Sequence, residues 1–416
     1  MNNANVVIVG AGHAGVQTAA SLREMGHDGR ILLIGDEPDR PYHRPPLSKS
    51  FIASPDAELD PLRSEEFFAN NDIELRQGVR ARNLDPSTQR LDLDSGEKVH
   101  FDHLILALGS RNRTVPIEGA ALDGVVGLRT AEDARSVRER LGHAQHVVVI
   151  GGGFIGMEFA AAVAAMGKTV TIFEAAPRTM ARAVSPHTSA YLEDTHTAEG
   201  VSIQSGATVA RIEGLRGAVS AVIVSDDRRI PADLVLVGVG ALPNTALAET
   251  AGIATGAQNS DGILVDDHLR TNHPAISAIG DCARFPDGPT FRRLESVQNA
   301  VDQARCVAAR ITGSPEPYQR VPWFWSHQGK VKLQIAGLAA GVDRSVVRGD
   351  ISAGRFSIFG YRGTDLVAVE SINKPGDHMA ARRILESRRS LLPEQAANPE
   401  FSLKEVSPAT TRSSTG

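Results

Sequence analysis

The chain opens on a short continuous apolar run that ends at glycine, Asn5-Val-Val-Ile-Val-Gly10-Ala-Gly12-His-Ala-Gly15. An apolar-periodic stretch to Met25 follows, and then a second apolar run, Arg30-Ile-Leu-Leu-Ile-Gly-Asp36-Glu37. Runs this short read as buried strands and the periodic stretch as a helix, so the order is strand, tight turn, helix, strand. The same order returns at His146-Val-Val-Val-Ile-Gly151-Gly-Gly153-Phe-Ile-Gly156, a helix through Met166, and Lys168-Thr-Val-Thr-Ile-Phe-Glu174. His103 to Gly109 and Asp233 to Gly240 are β-branched runs ending in glycine and predict parallel strands that return to the two sheets. Gly262-Ile-Leu-Val and Ala275-Ile-Ser-Ala-Ile-Gly280-Asp281 predict a further strand ending at a glycine and an acid. Leu294, Val297, Val301, Ala304, Ala308 and Ile311 recur at spacings of three and four, one stripe of a helix closed by Gly313-Ser-Pro-Glu-Pro. From Val321 to about Ser371 the period drops to two, an antiparallel sheet, and a helix follows from about Pro375 to Ser387.

The fold class is therefore α/β, two Rossmann-like units plus a C-terminal α+β domain. Gly10 permits the turn, Gly12 lets backbone approach a pyrophosphate, and Gly15 lets the helix pack close to its strand; Gly151, Gly153 and Gly156 repeat this. Each helix N-terminus then turns its partial positive charge to the phosphates. Asp36 and Glu174 end the second strands, placed to accept from ribose hydroxyls. A carboxylate at Glu174 hydrogen-bonds a free 2'-hydroxyl and repels a 2'-phosphate, which favours NADH over NADPH, although Arg178 and Arg182 follow closely. Two nucleotides side by side suggest electron transfer between them.

Composition narrows the partners. A length of 416 residues fits two or three domains, and 42% hydrophobic with 22% charged residues is ordinary globular material. Two cysteines, Cys282 and Cys306, exclude a disulfide framework or a cysteine-ligated cluster, and no metal site is expected. The net charge of -5 argues against nucleic acid, and the lack of a long apolar run argues against a membrane span or signal peptide, so the expectation is a soluble, cytoplasmic protein. Charge is uneven: twelve basic residues against six acids lie between Arg284 and Arg362. Such a span suits an acidic partner.

Several strings carry a resemblance. The two glycine openings, Arg40-Pro-Tyr-His-Arg-Pro-Pro-Leu-Ser-Lys49, Ala278-Ile-Gly-Asp-Cys-Ala283, Glu295-Ser-Val-Gln-Asn299 and Pro322-Trp-Phe-Trp-Ser-His-Gln328 resemble the NADH-dependent ferredoxin reductases of bacterial multicomponent oxygenase systems, flavoproteins of glutathione-reductase-like fold. The resemblance covers about residues 5 to 385. It implies a discontinuous FAD-binding domain of residues 1–113 and 244–320, an NAD-binding domain of 114–243 and a C-terminal domain of 321–390; the stretch from about Pro393, rich in Pro, Ser, Thr, Ala and Glu, predicts by composition a mobile tail of 391–416. It implies that the first unit holds FAD, with Gly10, Gly12, Ala14 and Gly15 at the pyrophosphate and Asp36 with Glu37 at the ribose. Lys49 and Arg129 would lie along the cofactor, Asp281 at the ribityl chain, Val297 near the isoalloxazine and Trp325 at the flavin edge. For NAD it implies Gly151, Gly153, Ile155, Gly156, Glu158, Glu174 and Gly240. Lys49 and Glu158 would be the catalytic pair where nicotinamide meets flavin.

The acceptor follows from what is missing. Disulfide reductases of this fold carry Cys-x4-Cys near residue 45, whereas Pro41-Tyr-His-Arg-Pro-Pro-Leu-Ser48 has no cysteine, which excludes a thiol relay there. Cys282 and Cys306 read as structural. Electrons must pass to an external carrier or to oxygen, and the resemblance implies a [2Fe-2S] ferredoxin serving a Rieske dioxygenase or a cytochrome P450. A rubredoxin reductase and an NADH oxidase or redox protein like apoptosis-inducing factor are the other readings. The chain departs from the family at His327, where relatives usually have aspartate. Trp323 and Trp325 are the only tryptophans.

Overall fold

Val6–Val9 is the central strand of a five-stranded parallel sheet, ordered Ile276–Ala278, His103–Leu106, Val6–Val9, Ile31–Ile34 and Ile73–Arg76. All four residues of both Val6–Val9 and Ile31–Ile34 are buried, as a sheet covered on two faces requires. The helices His13–Glu24 and Val297–Ile311 pack on each other. The second buries Ala300, Ala304, Val307, Ala308 and Ile311 and starts at Ser296, whose Oγ accepts from the Asn299 N–H at 3.0 Å. The predicted run after Gly262 does form a strand, Ile263–Leu264, but it pairs with Ala283–Asp287 in a separate small sheet. An antiparallel ribbon of Ala81–Asp85, Arg90–Leu93 and Lys98–His100, too short and too charged to show a period, buries Leu84, Leu91, Leu93 and Val99.

A second five-stranded parallel sheet runs Val201–Ser205, Thr169–Glu174, His146–Ile150, Leu234–Val237 and Val125–Val126. An antiparallel sheet follows in the last part of the chain, ordered Trp323–Gln328, Val331–Gly337, Asp365–Ile372, Arg355–Arg362 and Arg344–Asp350. The helix Pro375–Glu386 packs on its central strands.

The computed structural model describes residues 3–258, 260–389 and 391–406. It divides into two units: Met1–Pro46, Glu58–Arg113 and Ala241–Arg320 make the first, and Leu47–Ala57, Thr114–Gly240 and Val321–Gly416 the second. Leu47–Ala57, which falls inside the first domain of the sequence reading, belongs to the second unit. Its helix Ser50–Ala53 lies on the helix Ala131–Leu141, with the Arg138 guanidinium 4.5 Å from the Phe51 ring centre and Arg138 Nη1 donating to the Ala57 carbonyl at 2.9 Å.

The expected mobile tail needs correction over 391–406. Leu391, Ala396, Leu403 and Val406 are buried in one cluster with Phe359 and Tyr361. Arg348 is 6% exposed and donates to the carbonyls of Asn398, Pro399 and Phe401, the last two at 3.0 and 2.9 Å. The segment is thus held by the buried side chains of Leu391, Pro393, Ala396, Leu403 and Val406 and by one internal guanidinium, an enclosure that composition does not register. The remainder of that tail, 407–416, lies outside the described residues. Among the described residues no helix is long and apolar enough to cross a membrane.

Candidate functional site

In the first unit Gly10 has φ +111°, and a Cβ built there would lie 2.1 Å from the Ala107 carbonyl oxygen; one at Gly15 would lie 1.9 Å from the Gly10 carbonyl. Both positions exclude any side chain. Gly12, the helix N-cap, is different, because a Cβ there meets nothing within 4 Å and the helix has no side-chain cap. Packing does not demand glycine at 12; a close approach by an anionic group to the first-turn N–H groups does. Gly153 repeats this in the second unit, uncapped and with open space around its Cα, and the neighbouring Ile155 is 43% exposed. Gly240 has φ +103° and open space as well. These residues fit two dinucleotides.

The acids divide. Asp36 is exposed and paired with Arg80 at 3.1 Å, and Glu37 accepts from Arg44 at 2.5 Å and from the Tyr42 hydroxyl. Asp281 lies in the turn Gly280–Cys282 rather than capping a helix, and accepts from Ser110 Oγ at 2.9 Å. Gly280 N–H donates to Gln303 Oε1 at 2.7 Å, tying that turn to the helix begun by Val297. In the second unit Glu174 accepts from Gly152 N–H with one oxygen and from Ala176 N–H with the other, both at 2.7 Å. Arg129 precedes Thr130, and both backbone N–H groups donate to Asp133 at the start of the helix Ala131–Leu141.

Glu158 is the best-connected of the predicted residues. It lies on the helix Phe154–Ala165 and is 5% exposed. Phe154 and Glu158 share a helix face, one turn apart, and meet Phe324 and Ser326, which share a strand face two residues apart. A helical turn rises about 5.4 Å and two strand residues about 6.6 Å, so the two pairs fall nearly into register. The Phe154 and Phe324 ring centres are 4.4 Å apart, and Ser326 Oγ donates to Glu158 Oε1 at 2.7 Å. Oε2 accepts from Ser48 Oγ at 2.7 Å and from Lys49 Nζ at 2.5 Å. The side chain of Gln328, next on that strand face, donates to Ser326 Oγ at 3.2 Å, and His196 Nε2 lies 2.9 Å from Gln328 Oε1. Neither Ser326, Gln328 nor His196 stands out in the sequence; the period-two alternation of Trp-Phe-Trp-Ser-His-Gln is the one signal that could have placed the first two beside Glu158.

Trp323, Trp325 and His327 lie on the opposite strand face. The two indoles are 5.5 Å apart, and Trp323 meets His378 and Arg382. Burial, with Lys49 and Lys332 nearby, lowers the pKa of His327. Arg129, Lys49 and Trp325 belong to the second unit, whereas the Gly10–Gly15 turn, Asp36, Glu37, Asp281 and Val297 belong to the first.

Two expectations about charge change. Arg310 is half-buried and donates to Ser277 Oγ at 2.6 Å, and Arg348 is the internal staple described above. Arg348 is no surface charge of the basic span and Arg310 is engaged with Ser277, whereas Arg305 and Arg344 are exposed. Burial pushes both cysteine thiols up to about 11, so neither is a thiolate at neutral pH.

The chain matches the pyridine nucleotide-disulphide oxidoreductase family over residues 4–304 and the reductase C-terminal family over 323–407. It is 48% identical over 403 residues to rhodocoxin reductase of Rhodococcus erythropolis, covering 96% of this chain and 93% of that one. Two solved structures superpose on nearly all of it. The ferredoxin reductase for the CYP199A2 system of Rhodopseudomonas palustris gives a TM-score of 0.93 at 46% identity, over 97% of this chain and 99% of that one. The covalent putidaredoxin reductase–putidaredoxin complex gives 0.91 at 37%, over 97% and 98%. With two glycine-opened parallel sheets followed by an antiparallel C-terminal sheet, the chain belongs to the pyridine nucleotide-disulphide oxidoreductase family, in its glutathione-reductase-like branch of ferredoxin reductases.

Proposed function

We propose that this chain is an FAD-dependent ferredoxin–NAD(+) reductase that takes electrons from NADH and passes them one at a time to a [2Fe-2S] ferredoxin serving a cytochrome P450 or a Rieske dioxygenase. The observation that carries it is the pairing of two dinucleotide cradles with no cysteine in residues 41–48 and no reactive thiol at Cys282 or Cys306. The names of the full-length relatives agree. FAD supplies the conversion of a hydride pair into single electrons.

The protein's own groups bind and orient. The Gly10–Gly15 turn receives the FAD pyrophosphate, Asp36 and Glu37 lie at its ribose and Asp281 at its polyol chain. Val297 completes this set. In the second unit the Gly151–Gly156 turn receives NADH. Both Glu174 oxygens are fixed by backbone donors, and their remaining lone pairs favour a free 2'-hydroxyl over a 2'-phosphate. Lys49 and Glu158 form the catalytic pair, the carboxylate holding the ammonium in one place. Work in the cytoplasm accords with the two free cysteines.

The test is NADH-driven cytochrome c reduction with and without a [2Fe-2S] ferredoxin, putidaredoxin being one probe, across ionic strength. The ferredoxin-dependent rate should fall with salt while the NADH half-reaction holds. Arg305→Glu or Arg344→Glu should slow ferredoxin coupling roughly threefold and spare dye reduction, since rim charges act on encounter rate. A rate independent of ferredoxin at every salt concentration favours the oxidase reading, and a preference for rubredoxin the rubredoxin reductase reading.

A further inference from the structure

Behind Glu158 lies a buried polar run that the proposed chemistry does not use. Gln328 is 2% exposed and Ser326 and His196 are equally enclosed at 0% and 2%. The direction of each link can be assigned. Gln328 Nε2 donates to Ser326 Oγ and to the Met180 sulfur, which leaves Oε1 as the acceptor. His196 therefore donates from Nε2, its Nδ1 has no partner, and burial keeps the ring neutral by lowering its pKa. Ser326 receives from Gln328 and donates onward to Glu158 Oε1. All these hydrogen bonds point one way, from His196 through Gln328 and Ser326 to the carboxylate. Ser48 and Lys49 donate to the same carboxylate from the other side, on Oε2.

We propose that Ser326, Gln328 and His196 are positioning residues for hydride transfer, a one-way relay of hydrogen-bond donors that holds the Glu158 carboxylate in a single orientation and through it the Lys49 ammonium. A glutamate with two free torsions near its end would otherwise swing both oxygens toward Lys49 and Ser48. Fixing Oε1 on Ser326 leaves Oε2 as the oxygen that the carboxylate presents to Lys49 and Ser48. The relay is built from three elements: the helix Pro186–Ala198 carries His196, the strand Trp323–Gln328 carries Ser326 and Gln328, and the helix Phe154–Ala165 carries Glu158. This inference rests on the reading of Lys49 and Glu158 as the catalytic pair.

The experiment measures flavin reduction by NADH in rapid mixing, steady-state kcat and KM for NADH with a dye acceptor, and FAD content. The proteins are Ser326→Ala, Ser326→Thr, Gln328→Leu and Glu158→Gln, with Ser326→Ala and Gln328→Leu also built on Glu158→Gln. Ser326→Ala should slow hydride transfer about tenfold, the scale of one hydrogen bond to a charged group, with KM changed by less than about twofold and FAD retained. Ser326→Thr, which keeps the hydroxyl, should restore most of the rate. On the Glu158→Gln background the same Ser326→Ala change should alter the rate by less than about twofold, because its route runs through the carboxylate. If Ser326→Ala loses FAD, Gln328→Leu carries the same comparison from one link further away. Wild-type rates in both variants, or an equal slowing on both backgrounds, overturns the positioning role. A Glu158→Gln protein as fast as wild type overturns instead the catalytic pair itself.

Discussion

At Gly10 and Gly151 the backbone φ is +111° and +107°, and at the N-caps Gly12 and Gly153 it is -82° and -81°. The two openings share a backbone to within a few degrees, yet their surroundings differ. Gly10 N–H donates to the Ile34 carbonyl and Gly151 N–H to that of Phe173, so the residues that follow, Gly35 and Glu174, occupy the same place. Asp36 is thus one residue further along than Glu174, and the two acids are not equivalents. The small and large groups have changed partners: a Cβ at Gly35 would lie 2.8 Å from the Ala11 methyl, whereas one at Gly152 would lie 2.7 Å from Thr179 Cγ2 and 3.2 Å from Glu174 Cβ. In the second opening the acid bends back onto the glycine turn; in the first it faces solvent and Arg80. On the helices Gln17, bonded to Ser21, stands where Glu158 is buried with Lys49. One backbone device serves both units, and the side chains packed around it differ.

The largest expected effect comes from making the same lesion in both openings. Gly15→Ala should yield protein without FAD, since its methyl would strike the Gly10 carbonyl. Gly156→Ala should keep FAD while NADH-driven reduction falls about 100-fold, toward the upper end of the overpacking penalty. Flavin absorbance and stopped-flow reduction separate the two. Full FAD occupancy in Gly15→Ala would show that the first opening does not hold it.

Next comes the helix pair. Glu158→Gln should slow reduction by NADH roughly 10–100-fold, because it removes the carboxylate that seats Lys49. Gln17→Ala, the matching position, should leave that rate unchanged and shift stability by less than about 0.5 kcal/mol in thermal unfolding.

The acids give a smaller contrast. Glu174→Ala should narrow the preference for NADH over NADPH by about 1–3 kcal/mol, measured as the ratio of the two kcat/KM values. Asp36→Ala, at the position proposed for the FAD ribose, should weaken FAD retention by about 1–3 kcal/mol and change coenzyme choice not at all. Wild-type protein reduced equally fast by both coenzymes would show that Glu174 does not read the ribose.

Smallest is an acid effect from the second unit. His378 is buried against Trp323 and Arg382, and burial lowers its pKa to about 4. The folded ring refuses a proton that the unfolded chain accepts near 6.5. Its share of stability is therefore whole above that value and is lost as pH falls from there toward about 4. Melting temperature should drop across this window, and His378→Phe should remove roughly 2–4 °C of the drop.

Much of the fold was legible because its causes are local. Gly15 and Gly156 announce themselves through sterics within one turn and Gly10 and Gly151 through the positive φ of that turn, the buried strands through unbroken apolar runs, and the sheet after Trp323 through its period of two. The lack of cysteine in residues 41–48 is likewise a fact of the sequence alone. The resemblance paired Lys49 with Glu158, but no window of sequence contains both; they meet because Leu47–Ala57 leaves the first unit to lie on Ala131–Leu141. Ser326, Gln328 and His196 converge because a helical turn and a two-residue strand step have nearly equal rise, so that Phe154 and Glu158 mesh with Phe324 and Ser326. Arg348 reads as one more surface charge until the fold encloses it beneath Asn398, Pro399 and Phe401. Local sterics and periodicity are properties of neighbouring residues and can be read in order, whereas the burial and partners of a polar side chain depend on groups distant in the chain, and only the packed structure decides which of them arrive.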